Sequence, residues 1–295
     1  MLMLKIALTG ADGLVGSRIV ELLKDDFEFI PLPQKLMDIT NKEHVDNALK
    51  NLDFNIFFHL AAFTNVPGAE TNKELCFKIN RDGTKNVYEA VKQKQKKFIY
   101  VSTDFVFDGI SPPYNEDSLP NPIGVYALSK YEGEKIVNPP AGGQAMIVRI
   151  AYPYRTSFEL KKDFFRTFKF YLENNKPLSM ITDSLMTPTF IDDIAYGLKY
   201  LFNNYKPEIY HLVGSQSISP YDAAMKVAET FNLDKSLIGK TTYEEYILGK
   251  ARLPQFATIK SNKNNFWKMK TFGEGLDVIK KQQPACRQAG RTMKQ

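Results

Sequence analysis

The sequence is poor in the residues that would announce a metal centre or a disulfide scaffold. It holds 2 cysteines, 3 histidines and 1 tryptophan in 295 residues. Cys76 and Cys286 stand far apart with no metal-type spacing, so no metal is expected and the redox context expected is a reducing cytoplasm. No run approaches the roughly 20 apolar residues that span a bilayer, and no membrane partner is expected. The opening MLMLKIALTG lacks a basic region, a long apolar core and a cleavage-type segment, which argues against a signal peptide. Evenly spread basic charge is lacking too. Of the net +6, residues 260–295 carry nine Lys/Arg against two Asp/Glu, and the rest of the chain is close to neutral. The main body therefore has no clustered basic surface, and no nucleic-acid partner is expected. Hydrophobic residues at 43% and charged residues at 24% fit a globular chain rather than a disordered one.

What is present is an alternation of short apolar runs and helical patterns. Strands are expected at 5–9, 27–32, 56–62, 98–103 and 146–150. Helices are expected at 14–24, 44–52, 74–92 and 125–137. This order predicts an α/β fold, a Rossmann-type doubly wound parallel sheet. The second half is less regular. Helices are expected at 164–174, 192–202, 221–231 and 242–248, and a strand at 209–213 that rejoins the sheet. The division expected is a Rossmann domain over 1–150, with 186–214 packing back on it. A smaller mixed α/β C-terminal substrate lobe would take 151–185 and 215–281. Residues 282–295 show no apolar periodicity and are expected as a disordered tail.

Gly10-Ala-Asp12-Gly13-Leu14-Val15-Gly16 lies between the first strand and the first helix. Glycines there allow a tight turn, and backbone N–H groups at a helix start can receive a diphosphate. The second strand ends without the carboxylate that commonly meets a ribose 2′-hydroxyl, while Lys35 is available for a 2′-phosphate. This leans towards NADPH over NADH; the alternative for Lys35 is a solvated loop lysine. Asp38 either receives the adenine amino group or caps the helix that follows.

Tyr126-Ala-Leu-Ser-Lys130 puts a phenol and an ammonium one turn apart on a helix face. A nearby ammonium is expected to lower the tyrosine pKa and make a proton donor beside a hydride donor. The spacing occurs at Tyr88/Lys92, Tyr131/Lys135 and Tyr246/Lys250 as well. Tyr126 is singled out by Ser102-Thr103-Asp104, hydroxyl and carboxyl groups where a parallel strand ends and ligands bind. His59 reads as a packed core histidine, Asp192-Asp193 as a helix N-terminal pair, and Trp267 with its lysines as a surface segment.

These segments together resemble the extended short-chain dehydrogenase/reductase superfamily, and within it the dTDP-4-dehydrorhamnose reductase family. Carrying the resemblance are Gly10–Gly16, Asp38-Ile39-Thr40, 59–70, 80–86, 101–109 and 121–130. Later segments are 148–150, 187–189, 209–212 and 252–258. The resemblance implies catalytic Thr103, Tyr126 and Lys130. It implies cofactor contacts from the glycine loop (Gly10, Asp12, Gly13, Leu14, Val15, Gly16) and from Lys35, Asp38, Ile39, Ala61, Ala62, Phe63, Tyr126, Lys130 and Pro153. Thr103, Asp104, Tyr126 and Arg252 would meet a nucleotide-sugar substrate; the alternative for Arg252 is an ordinary surface arginine. Asn80 would be a prop beneath the cofactor loop. The implied reaction is NADPH- or NADH-dependent reduction of the 4-keto group of a dTDP-linked 6-deoxy sugar. Arg18 stands where some relatives carry a metal-binding carboxylate at a dimer contact, so neither metal nor metal-linked dimer carries over, and a homodimer is left open. The alternatives are a sugar-nucleotide epimerase or other 4-keto reductase, and a non-catalytic subunit like the β subunit of methionine adenosyltransferase.

Overall fold

A computed structural model of the chain describes residues 3–138 and 144–282. Six parallel strands form the central sheet: β1 (Lys5–Thr9), β2 (Glu28–Pro31), β3 (Ile56–His59), β4 (Lys97–Thr103), β5 (Ala145–Ile150) and β6 (Ile209–His211). Their spatial order is β6-β5-β4-β3-β1-β2. The helices used below are α1 (Gly16–Leu23), α2 (Lys42–Lys50), α3 (Thr84–Gln93), α4 (Val125–Val137), α5 (Phe164–Glu173), α6 (Ile191–Asn203), α7 (Pro220–Phe231) and α8 (Phe272–Gln282).

The sheet is wound on both faces. Ile19 and Leu23 of α1 and Ile194, Leu198 and Leu201 of α6 pack with Ile6, Leu8, Ile56 and Phe58 on one side. On the other, Val45 and Leu49 of α2 and Val87 and Val91 of α3 pack with Ala7, Phe57 and Phe98. Strand β3 is buried along its whole length, as its unbroken apolar run requires of a central strand. The chain reverses its winding direction between β1 and β3, which are adjacent and leave the sheet at Thr9 and His59. That reversal opens the crevice where ligands bind in sheets of this type.

A second, aromatic core lies apart from the sheet. Tyr154, Phe165, Phe190, Phe272 and Leu276 bring α5, α7 and α8 together. Short parallel pairs, Leu178–Ile181 with Ile238–Thr241 and Pro153–Tyr154 with Thr189–Phe190, complete it. Helix α8 runs to Gln282, so that residue is helical rather than part of a tail; the remainder of the expected tail, 283–295, lies outside the described residues. Among the described residues no helix is long and apolar enough to cross a membrane.

Three expectations are corrected here. The helix foreseen over 74–92 changes pitch: Lys73–Phe77 is α-helical, Lys78–Gly83 widens into a π-helical turn, and α3 follows. The wide turn directs Asn80 inward, where it is fully buried. The first helix begins at Gly16, because Leu14 and Val15 belong to the glycine turn. Trp267 is not a surface segment. It packs against the sheet core and Tyr196, and its indole N–H donates to Asp193 at 3.2 Å.

Candidate active site

The glycine loop follows β1 as a tight turn. Gly10 has φ +68°, and a Cβ there would lie 3.0 Å from Ala61 N, so the loop touches the segment leaving β3. A Cβ on Gly16 would sit 2.2 Å from the Gly10 carbonyl oxygen, a clash that only glycine avoids. Gly13 N–H donates to Gly10 O at 3.1 Å, closing the turn. The Leu14 and Val15 N–H groups have no acceptor among the described residues. Unpaired donors at the start of α1 suit an anion, so the loop fits a dinucleotide diphosphate.

A hydrogen-bonded chain carries this loop towards α4. Ala61 N–H donates to Thr9 Oγ1 at 3.1 Å, and Thr9 Oγ1 lies 2.8 Å from His59 Nδ1. Burial drives the His59 pKa down to about 3, so the ring is neutral. Its Nε2 lies 3.3 Å from Thr84 Oγ1, which itself donates to Asn80 O at 2.7 Å. The Asn80 side chain accepts from Phe63 N at 2.7 Å and donates to Ser129 Oγ at 2.8 Å. His59 is thus a core histidine, as its apolar setting implies, and Asn80 props the 61–63 segment against α4.

Strand β4 delivers Thr103 and Asp104 to the same edge. Thr103 Oγ1 donates to Asp104 Oδ1 at 3.0 Å. Asp104 is 4% exposed, and burial lifts its carboxyl to about 7. Its Oδ2 and the Ser102 hydroxyl are buried with no hydrogen-bond partner. Buried polar atoms are generally paired in folded proteins, so two unpaired ones stand out at the end of β4.

Helix α4 presents Tyr126 and Lys130. Burial first, and the Asp104 charge second, raise the Tyr126 phenol well above its ordinary range, while the Thr103 hydroxyl pulls it back. The lowering expected from Lys130 is therefore not found. Lys130 points to the sheet: its ammonium donates to Val101 O at 2.7 Å and lies 4.0 Å from the centre of the Tyr100 ring. Burial lowers it to about 7, opposed by the Glu134 carboxylate one turn on. Of the other Tyr/Lys pairs, Tyr88 packs in the sheet core, while Tyr131 and Tyr246 hold their lysines over their own rings.

Beside Tyr126 a narrow cleft is lined by Val66, Glu70, Phe105, Gly124 and Arg252. Arg252 is exposed at its rim. Glu70 and Phe105 carried no motif of their own; Glu70 accepts from Val125 N at 2.8 Å and so fixes the start of α4. Asp38 turns onto Thr40, accepting from its N–H at 2.9 Å and its hydroxyl at 2.8 Å. The cap of α2 is Asn41, not Asp38, which removes the capping reading. Ile39 meets the wide helical turn at Gly83, and its carbonyl accepts from Asn86 at 2.9 Å. Lys35 and Asp12 are exposed. Pro153 pairs with Thr189 in a short strand. Arg18, where the resemblance placed a possible carboxylate, forks onto Asp192 with two 2.7 Å bonds, and Asp193 holds Lys270 at 2.6 Å. The helix N-terminal pair thus also anchors two cations.

Residues 4–281 match the family model of the RmlD substrate binding domain. A dTDP-4-dehydrorhamnose reductase of Aggregatibacter actinomycetemcomitans is 30% identical over 234 residues, 76% of this chain and 78% of that protein. Methionine adenosyltransferase 2 subunit beta of Xenopus tropicalis is 27% identical over 254 residues, 80% of this chain and 75% of that protein. Among solved structures, a dTDP-4-dehydrorhamnose reductase from Bacillus anthracis in complex with NADP matches with a TM-score of 0.88 at 28% identity, covering 96% of this chain and 100% of that one.

Proposed function

Since the chain belongs to the RmlD substrate binding domain family, we propose that it is an NADPH-dependent reductase that converts dTDP-4-dehydrorhamnose to dTDP-L-rhamnose. The observation that carries this is the convergence of Thr103, Asp104, Tyr126 and Lys130 at the end of β4, beside a glycine loop with unpaired N–H donors. Its relatives of that name, and the NADP held by the Bacillus anthracis structure, support the substrate and cofactor.

NADPH, when bound, supplies a hydride to the sugar C4 carbonyl. Tyr126 gives its proton to the oxygen that gains charge. A phenol whose pKa is raised stays protonated until the more basic alkoxide forms, which suits a donor. Thr103, whose hydroxyl proton points to Asp104 in the ligand-free protein, turns it to the same oxygen. The orphan Asp104 Oδ2 takes a sugar hydroxyl. Lys130, held by Val101 O, would use its remaining N–H donors on the nicotinamide ribose. The unpaired N–H groups of Leu14 and Val15 would take the diphosphate, with Gly10, Asp12, Gly13 and Gly16 shaping the loop around it. Ala61, Ala62, Phe63 and Pro153 border the cofactor, and Asp38 and Ile39 border the adenine. Lys35, exposed past β2, meets the 2′-phosphate. The nucleotide half of the substrate lies towards residues 151–185 and 215–281, with Arg252 on its diphosphate. The reaction belongs in the cytoplasm, where NADPH and sugar nucleotides are made.

The test is incubation of the purified protein with NADPH and dTDP-4-dehydrorhamnose. Appearance of dTDP-L-rhamnose supports the proposal. Tight NADPH binding without turnover of this substrate favours a cofactor-binding subunit, the reading kept open by the Xenopus tropicalis relative.

A further inference from the structure

Arg155 lies two residues past Pro153, outside the central sheet, and its side chain crosses to the glycine loop. One terminal nitrogen donates to the Leu14 carbonyl at 3.3 Å and to Ser17 Oγ at 2.9 Å. The other donates to Glu21 at 3.1 Å. Arg155 is 8% exposed, and burial lowers its pKa below the usual guanidinium value. Burying such a charge is costly unless its hydrogen bonds are made, and here they are made to Leu14 of the loop and to Ser17 and Glu21 of α1. Its backbone is fixed as well: Arg155 N–H donates to Asp163 Oδ2 at 3.2 Å, and Asp163 caps α5.

The Leu14 carbonyl accepts no other hydrogen bond among the described residues. It shares a peptide group with Val15 N–H. In a trans peptide the C=O and N–H point in opposite directions. A guanidinium that holds the carbonyl on one side therefore aims the Val15 N–H to the other. That N–H is unpaired and stands at the N-cap of α1, where the helix favours negative charge.

We infer that Arg155 is a positioning residue for the cofactor diphosphate: it locks the Leu14–Val15 peptide so that the Val15 N–H faces the phosphate. The inference rests on the dinucleotide reading given above. It makes dinucleotide affinity depend on a residue outside the sheet that carries the loop. Neighbouring charges do not replace it. Arg18 is taken up by Asp192 and by Glu21 at 2.7 Å, and the Glu21 carboxylate makes no hydrogen bond to residues 10–16 among the described residues.

The test is NADPH titration by fluorescence, with steady-state kinetics, on the full chain. Arg155→Met is expected to raise the NADPH dissociation constant and KM about tenfold, with kcat at saturating NADPH held within about twofold. Arg155→Lys keeps the charge but is shorter and lacks the fork, so it is expected to recover only part of the affinity. Glu21→Gln leaves the bonds to Leu14 and Ser17 in place and stays within about twofold of the parent. If Arg155→Met does not fold, Ser17→Ala carries the test, because it removes one of the two bonds made by the loop-facing nitrogen; a few-fold weakening is expected. A folded Arg155→Met that binds NADPH as the parent does would overturn the inference, as would unchanged affinity in Ser17→Ala or a loss confined to kcat. A parent protein that binds no NADPH would instead overturn the reductase reading and this inference with it.

Discussion

Asp104 makes the stability of the ligand-free protein depend on pH in a defined direction. Burial raises its carboxyl from the ordinary 3.8 to about 7, and Oδ2 has no partner to repay the charge. Between those values the folded state binds the proton and the unfolded chain does not. The stabilisation from this group is therefore complete below about 4 and is lost as pH rises through about 7. A shift of some three units at 1.36 kcal/mol each corresponds to roughly 4 kcal/mol, as an order of magnitude. Other carboxyls titrate in the same range, so the informative quantity is a difference. Asp104→Asn cannot ionise, and its stability relative to the parent should rise from pH 5 to about pH 7 and level off above it. Urea unfolding at several pH values, with midpoint and slope both recorded, measures it. A stability difference that stays flat across that range would refute the claim that Asp104 folds as a neutral acid.

Other perturbations follow from the same geometry. Tyr126→Phe should lower turnover by about 10²–10⁴-fold while NADPH still binds, because only the proton donor is removed; retained turnover would remove Tyr126 from the mechanism. Gly16→Ala should abolish cofactor binding or folding, since the new Cβ falls 2.2 Å from Gly10 O; calorimetry with NADPH checks it. Arg149→Met strands the Glu134 carboxylate, which is 4% exposed and held by two guanidinium bonds of 2.9 and 2.7 Å. A loss of about 3–5 kcal/mol is expected, with a smaller loss when Glu134→Gln is added; denaturant unfolding of both variants decides.

The parts of the fold legible in the sequence were those where burial writes a pattern. Strands β1, β3, β4 and β5 lie between helices on both faces, so each appears as an apolar run, and the structure ends them within a few residues of where those runs end. The π-helical turn at Lys78–Gly83 left no such mark, because its apolar spacing continues that of the helices on either side. The strand Leu178–Ile181 left no such run, because it pairs with a single neighbour and only Met180 in it is buried. At the proposed site, motif and strand end together single out Thr103, Tyr126 and Lys130, and the structure brings them to one edge of the sheet. Their electrostatics could not be read that way. The pairing of Lys130 with Val101 O and the burial of Tyr126 depend on packing from distant segments, and they reverse the sign expected from a tyrosine next to a lysine. Arg155 gave no signal at all, since its partners lie about 140 residues away in sequence.

The central claim is that this site moves a hydride from NADPH to the sugar carbonyl and a proton from Tyr126 to its oxygen. The most direct measurement uses NADPH carrying deuterium in place of the transferred hydrogen, with dTDP-4-dehydrorhamnose, and reads the product by mass and NMR. The account predicts one NADPH consumed per dTDP-L-rhamnose formed, with deuterium on the sugar C4 and none incorporated by Tyr126→Phe on the same timescale. Product without deuterium at C4, or a fully active Tyr126→Phe, would contradict it.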